Sequence, residues 1–164
     1  MHKTIFFFLI VAALASMTAC KRTLPDYGHT AVVKMANNWW VTINSALYGS
    51  QTPTRAYFGT YNASSNSIDS LWIDDLGLVG LKSLTVANYA KLTFSSTNAP
   101  NLDQPFGEPD SISVFNGKVI TLGGHSKTGV ATDSLYFQAT LSDDPGDTIT
   151  VAGTARTGFI ADDY

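Results

Sequence analysis

Any reaction run by this chain would have to come from a short list of side chains. Gly124-His125-Ser126-Lys127-Thr128-Gly129 sets a histidine beside a serine in a glycine-bounded stretch. A serine nucleophile needs a base to take its proton and an acid to orient that base. A nucleophile elbow of the Gly-x-Ser-x-Gly type would want glycine at position 128, where threonine stands, and would run from a strand into a helix. No helical pattern follows residue 129, so the stretch reads as a loop. His29 and His125 are the only histidines beyond the first 19 residues, and their spacing does not suit zinc. Asp74-Asp75 would serve as an acid/base pair or a calcium site only if both carboxylates converged, and neighbours on a strand point to opposite faces. Asp75 and Gly77 therefore read as turn residues at a strand end. Asp143, Asp144 and Asp147 lack calcium-loop spacing and read as a turn around Pro145-Gly146. On these grounds no catalytic residue, metal or cofactor is assigned.

Cys20 has a different chemistry. Met1-His2-Lys3-Thr4 is a short basic lead, and residues 5–14 are a continuous apolar run. That run is shorter than the roughly 20 residues of a membrane-spanning helix, and with the small residues after it describes a secretory signal peptide. It ends in Ala15-Ser16-Met17-Thr18-Ala19-Cys20, which resembles a bacterial lipobox with methionine in the usual leucine position. Such a cysteine receives diacylglycerol and becomes the mature N-terminus. The expectation is a leader over residues 1–19, membrane attachment through Cys20, and a location in the cell envelope at the outer membrane, on either of its sides. As the only cysteine, Cys20 cannot form an intrachain disulfide, so the fold must stand on its core.

Lys21-Arg22-Thr23-Leu24-Pro25-Asp26 reads as a tether, polar and broken by proline. With the 19-residue leader removed, 145 of the 164 residues remain, with 9 basic against 13 acidic side chains. That length suits one domain burying about 68–70% of its unfolded surface. The absence of a basic stripe excludes nucleic acid as a partner class. Threonine, serine, asparagine, glycine and aromatic residues dominate, which favours an all-β domain.

The elements follow in chain order. Residues 20–37 hold the tether and a short N-terminal cap, in which Val32, Met35 and Ala36 fall at helical spacing and are placed to cover one end of a barrel. Residues 38–164 hold strand-like runs near 38–47, 54–61, 67–74, 81–87, 91–95, 111–115, 118–122, 134–141 and 148–159. In the fourth and fifth runs Leu84, Val86, Leu92 and Phe94 are the apolar positions, and 97–108, with two prolines, reads as an open loop. Asn116-Gly117 between two strand-like runs predicts a hairpin turn. A meander of this kind exposes unpaired edges unless it closes, so a single antiparallel up-and-down β-barrel is expected ahead of a two-sheet sandwich.

In Asn38-Trp39-Trp40-Val41-Thr42-Ile43 two adjacent tryptophans lead into β-branched residues, which is strand chemistry. Trp39 shares a face with Val41 and Ile43 and belongs to the core, while Trp40 faces the other way. If first and last strands meet, Arg156 is placed to lie over an indole and close the sheet by a cation–π contact. Its parity conflicts with Ile149 and Val151, so either Gly153 marks a bulge or Arg156 points outward.

These stretches, together with Leu71-Trp72-Ile73-Asp74-Asp75-Leu76-Gly77, Leu92-Thr93-Phe94-Ser95, Gly117-Lys118-Val119, Asp133-Ser134-Leu135-Tyr136-Phe137 and Arg156-Thr157-Gly158-Phe159, resemble a family of small Bacteroidetes lipoproteins. The family is that of the lipid-binding putative hydrolases, with a lipocalin-like (calycin) barrel. The resemblance implies such a barrel, an apolar cavity, and a first-strand tryptophan covered by a basic residue, here Trp39 and Arg156. It carries no catalytic motif. Some lipoproteins of this phylum carry an acidic run after the cysteine that sends them to the cell surface, which Lys21-Arg22 does not match. The expected ligand is a small hydrophobic molecule, a lipid or fatty acid, lined by Val41, Ile43, Phe58, Leu71, Ile73, Phe94 and Phe137. Two other readings stand beside it: a filled barrel serving as a structural or interaction lipoprotein, and a lipid hydrolase using His125 and Ser126.

Overall fold

A computed structural model describes residues 28–46, 49–50, 55–103 and 111–164. The expected leader, Cys20, the tether and residues 51–54 lie outside the described residues. Nine strands follow in order: β1 (Asn37–Ser45), β2 (Gly49–Ser50), β3 (Ala56–Asn62), β4 (Ser70–Asp74), β5 (Lys82–Asn88), β6 (Thr93–Pro100), β7 (Ser111–His125), β8 (Ala131–Leu141) and β9 (Ile149–Ala155). Each strand from β4 to β9 pairs antiparallel with its predecessor, β3 pairs with β1, and β9 returns to pair with β1. The result is a closed eight-strand up-and-down barrel, with the two-residue β2 added at the end of β1. Closure satisfies the edges that an open meander would expose.

Period-two patterning puts one face of each strand inside. Trp39, Val41 and Ile43 of β1 and Leu135, Phe137, Ala139 and Leu141 of β8 are buried in one continuous core. The end at which β1 begins is covered by residues 31–35. A helical hydrogen bond from the Ala36 N–H to the Val32 carbonyl (3.0 Å) turns Val32 and Met35 onto the core, both fully buried.

The β1–β9 seam runs in unbroken register from Trp39 opposite Ala155 to Asn44 opposite Thr150. Gly153 is therefore no bulge. It stands opposite Val41, where a Cβ would lie 2.2 Å from the Trp40 carbonyl oxygen and 2.8 Å from the Val41 Cα. Only glycine permits this approach of the two backbones. With the register unbroken, Arg156 takes the outward parity.

Three local readings are corrected. Asn116-Gly117 is not a hairpin turn, because β7 runs straight through it to His125. The register steps from Phe115 opposite Gln138 to Lys118 opposite Tyr136, one residue more on β7 than on β8. That is a bulge, and Asn116 supplies its positive φ of 56°. The tolerance that makes Asn-Gly a hairpin signal serves a bulge equally well.

The second correction concerns β5, whose apolar face is inverted. Ser83, Thr85 and Ala87 face the interior, while Leu84 and Val86 face solvent. The two inward hydroxyls are satisfied: Ser83 donates to the Pro100 carbonyl (2.9 Å) and Thr85 to the Leu71 carbonyl (2.8 Å). Leu92, with φ of 54°, lies in the turn before β6. The third concerns strand ends. β6 extends to Pro100 into the expected loop, and β9 stops at Ala155, followed by a single 3₁₀ turn at Ile160–Asp162.

Candidate functional site

The barrel interior brings together all seven residues expected to line a ligand site, each buried and each in the same cluster. Three of them meet at mid-barrel. The Phe137 ring lies 5.4 Å from that of Phe58 and 5.8 Å from that of Phe94, both tilted, the offset geometry aromatic pairs prefer. Near the capped end the Trp39 indole N–H donates to the Thr60 hydroxyl (2.8 Å), which donates in turn to the Met35 carbonyl (2.5 Å). Thr60 thus ties the first-strand tryptophan to the cap.

Arg156 does not cover Trp39. Its guanidinium lies on the outer wall, 5.2 Å from the centre of the Tyr57 ring, because the unbroken seam turns it away from the interior. The tryptophan at this outer seam is Trp40, 4.4 Å edge-to-face from Tyr57 and 5.8 Å from Tyr164. The Tyr164 ring also receives Arg55 at 4.8 Å and Lys127 at 5.5 Å. Asp163 binds Arg156 through both oxygens, at 2.8 and 2.7 Å, and this hydrogen bonding holds the Asp163 carboxyl below its ordinary range. Asp162 is buried and accepts from the Thr128 hydroxyl (2.6 Å), the Thr128 N–H (2.9 Å) and the Thr157 hydroxyl (2.6 Å). Those bonds, Thr128 first, hold its carboxyl far below the usual carboxylate range. Sequence reasoning missed this clamp. Its only trace was an arginine followed within eight residues by two carboxylates and a tyrosine.

His125 and Ser126 stand where β7 turns into β8, and a strand follows the serine instead of a helix. The Ser126 hydroxyl accepts from the Val130 N–H (3.2 Å) and lies 3.3 Å from the Thr128 hydroxyl. The His125 side chain is not hydrogen-bonded to it. The arrangement is that of a turn.

Asp74 and Asp75 serve separate tasks. Asp74 accepts from the Tyr61 hydroxyl (2.7 Å), Lys82 Nζ (2.9 Å) and the Leu76 N–H (2.9 Å). Burial pushes its carboxyl up, but hydrogen bonds from Lys82, Tyr61 and Leu76 outweigh that and leave it lowered. Asp75 turns into the following loop, where its oxygens accept from the N–H groups of Gly77 (3.0 Å), Leu78 (3.3 Å) and Val79 (2.7 Å). Deeper burial wins there, and the Asp75 carboxyl is raised. Gly77, with φ of 85°, lets the loop curl around that carboxylate. Asp144 and Asp147 close a turn (Asp147 N–H to Asp144 carbonyl, 3.2 Å), and Asp147 also accepts from the Ala46 N–H at 2.8 Å. Among the described residues no three His, Cys, Asp or Glu side chains converge as metal ligands do.

No curated protein matches the chain. Residues 24–160 of the 164-residue chain match the family described as lipid-binding putative hydrolase. A closed barrel with an apolar interior is a fold suited to that description, and the chain belongs to the lipid-binding putative hydrolase family.

Proposed function

We propose that this protein is a lipoprotein, anchored in the cell envelope at the outer membrane through Cys20, whose barrel domain binds a small hydrophobic ligand, a lipid or a fatty acid. The carrying observation is the family match across residues 24–160 on a barrel closed around apolar side chains. Affinity would come from apolar burial, about 25 cal/mol per Å² removed from water. Native mass spectrometry of residues 21–164, before and after organic extraction, tests the binding half. An added mass that is lost on extraction and restored by one defined lipid supports it, and a clean apo mass with no uptake from a lipid panel refutes it. Radiolabelled fatty acid incorporated by the full chain but not by Cys20→Ser tests the anchor.

The Phe58, Phe94 and Phe137 contacts favour a second reading, in which the barrel is packed solid at that level and works as a structural or interaction subunit. A clean apo mass would move the search to protein partners.

A further inference from the structure

The inverted β5 leaves apolar surface that the fold itself does not need. A slip of one residue would bury Leu84 and Val86 and expose Ser83 and Thr85, the arrangement that patterning favours. The chain instead binds both hydroxyls inside and presents Val86 outward, 68% exposed, beside Ile68, 56% exposed. These two residues line one end of a groove of about 1020 Å³ on the outer wall, which crosses β5, β6 and β7. Tyr89 walls the groove, and its far end carries Asn116, Lys118 and Tyr136. Lys118 is exposed, lies 5.2 Å from the centre of the Tyr136 ring, and makes no ion pair among the described residues. From β5 to β7 is two strand spacings, about 10 Å. Asp69 sits beside Ile68, so one end of the groove is acidic and the other basic.

We propose that this outer groove binds a single-chain amphiphile with an anionic headgroup, its chain over Val86 and Ile68 and its head at Lys118. Asp69 repels an anion at the Ile68 end, which sets the direction of the chain. The assignment rests on the lipid-binding reading and names where the ligand sits.

The test uses the protein carrying Cys20→Ser, titrated with dodecanoate and with dodecanol below their micellar concentrations. Both probes are expected to bind. Lys118→Glu is expected to weaken dodecanoate at least tenfold and dodecanol less than twofold, while Val86→Glu weakens both at least tenfold. Position 86 already faces solvent, so folding survives there, and an unchanged circular dichroism spectrum checks it. Val151→Ala, which alters the interior opposite Ile43 and away from the groove, is expected to leave both affinities unchanged. If Val151→Ala shifts affinity and Val86→Glu does not, the ligand lies inside the barrel, which overturns the groove while lipid binding stands. If neither probe nor a phosphatidylglycerol vesicle binds, lipid binding itself fails. If sedimentation shows a dimer that Val86→Glu dissolves, a second copy covers the groove and the proposal is overturned.

Discussion

Asp163 grips Arg156 with both carboxylate oxygens, at 2.8 and 2.7 Å, and so fixes the guanidinium over Tyr57 at the β1–β9 seam. The pair joins the last residues of the chain to the strands that close the barrel. One residue past the end of β9, Arg156's own backbone N–H still donates to the Asn38 carbonyl (2.8 Å), extending the seam. Bidentate geometry and a half-buried setting distinguish this pair from ordinary surface ion pairs.

The neighbouring Asp162 gives a prediction in pH. Its folded carboxyl lies below its ordinary 3.8, so between those two values the unfolded chain binds more protons than the folded one. The stability it contributes is fully present above 3.8 and is lost as pH falls through the folded value. Asp162→Asn is therefore expected to melt below wild type at about pH 6, with the gap closing as pH is taken towards 2. Asp75, whose carboxyl is raised, has the opposite sign, and subtracting the variant's curve from that of wild type removes it. A gap that stays constant across thermal melts in this range would refute the clamp.

Gly153→Ala should break the seam. The added Cβ meets backbone at 2.2 and 2.8 Å, atoms that move only if the strands part. The expected cost is about 1–3 kcal/mol or more. Gly59→Ala is the control, since its nearest contact is an ordinary 3.7 Å and its φ is not positive, so stability should hold or rise slightly. Urea denaturation reads both, and amide exchange should speed up across β1–β9 in the first variant alone. Equal effects at the two glycines would deny that the seam requires glycine.

Phe137 is the centre of the interior aromatic group. Phe137→Ala should cost about 3–5 kcal/mol, through lost burial and the void left between Phe58 and Phe94. A loss below about 1 kcal/mol in urea denaturation would mean that the rings border an open cavity and were never packed together.

The closed barrel was legible because period-two alternation in β1 and β8 declares which side chains go inside. The seven interior residues come together for the same reason. What was not legible depends on partners distant in sequence. Ser83 and Thr85 can face inward only because carbonyls of Pro100 and Leu71 await them, and no local pattern announces those bonds. The outer groove was hidden with them, since it exists only if Val86 points out. Asn116-Gly117 carried a true signal for positive φ, but bulge and hairpin share that requirement. Arg156 was assigned to cover Trp39, and the unbroken register at Gly153 turns it outward, where it lies over Tyr57 instead of an indole.

Trp39 and Thr60 allow the pairing beneath the cap to be measured directly. Thr60→Val keeps the volume but leaves the buried indole N–H without its acceptor, at an expected cost of about 1–3 kcal/mol. It also removes the hydroxyl's own bond to the Met35 carbonyl, so the single variant overstates the Trp39 contact. The double-mutant cycle with Trp39→Phe separates the two. Once the indole N–H is gone, Thr60→Val should cost about 1 kcal/mol less than it does in the wild-type protein. Additivity within about 0.3–0.5 kcal/mol would show that Thr60 acts only on the cap, and that Trp39 is held by packing alone.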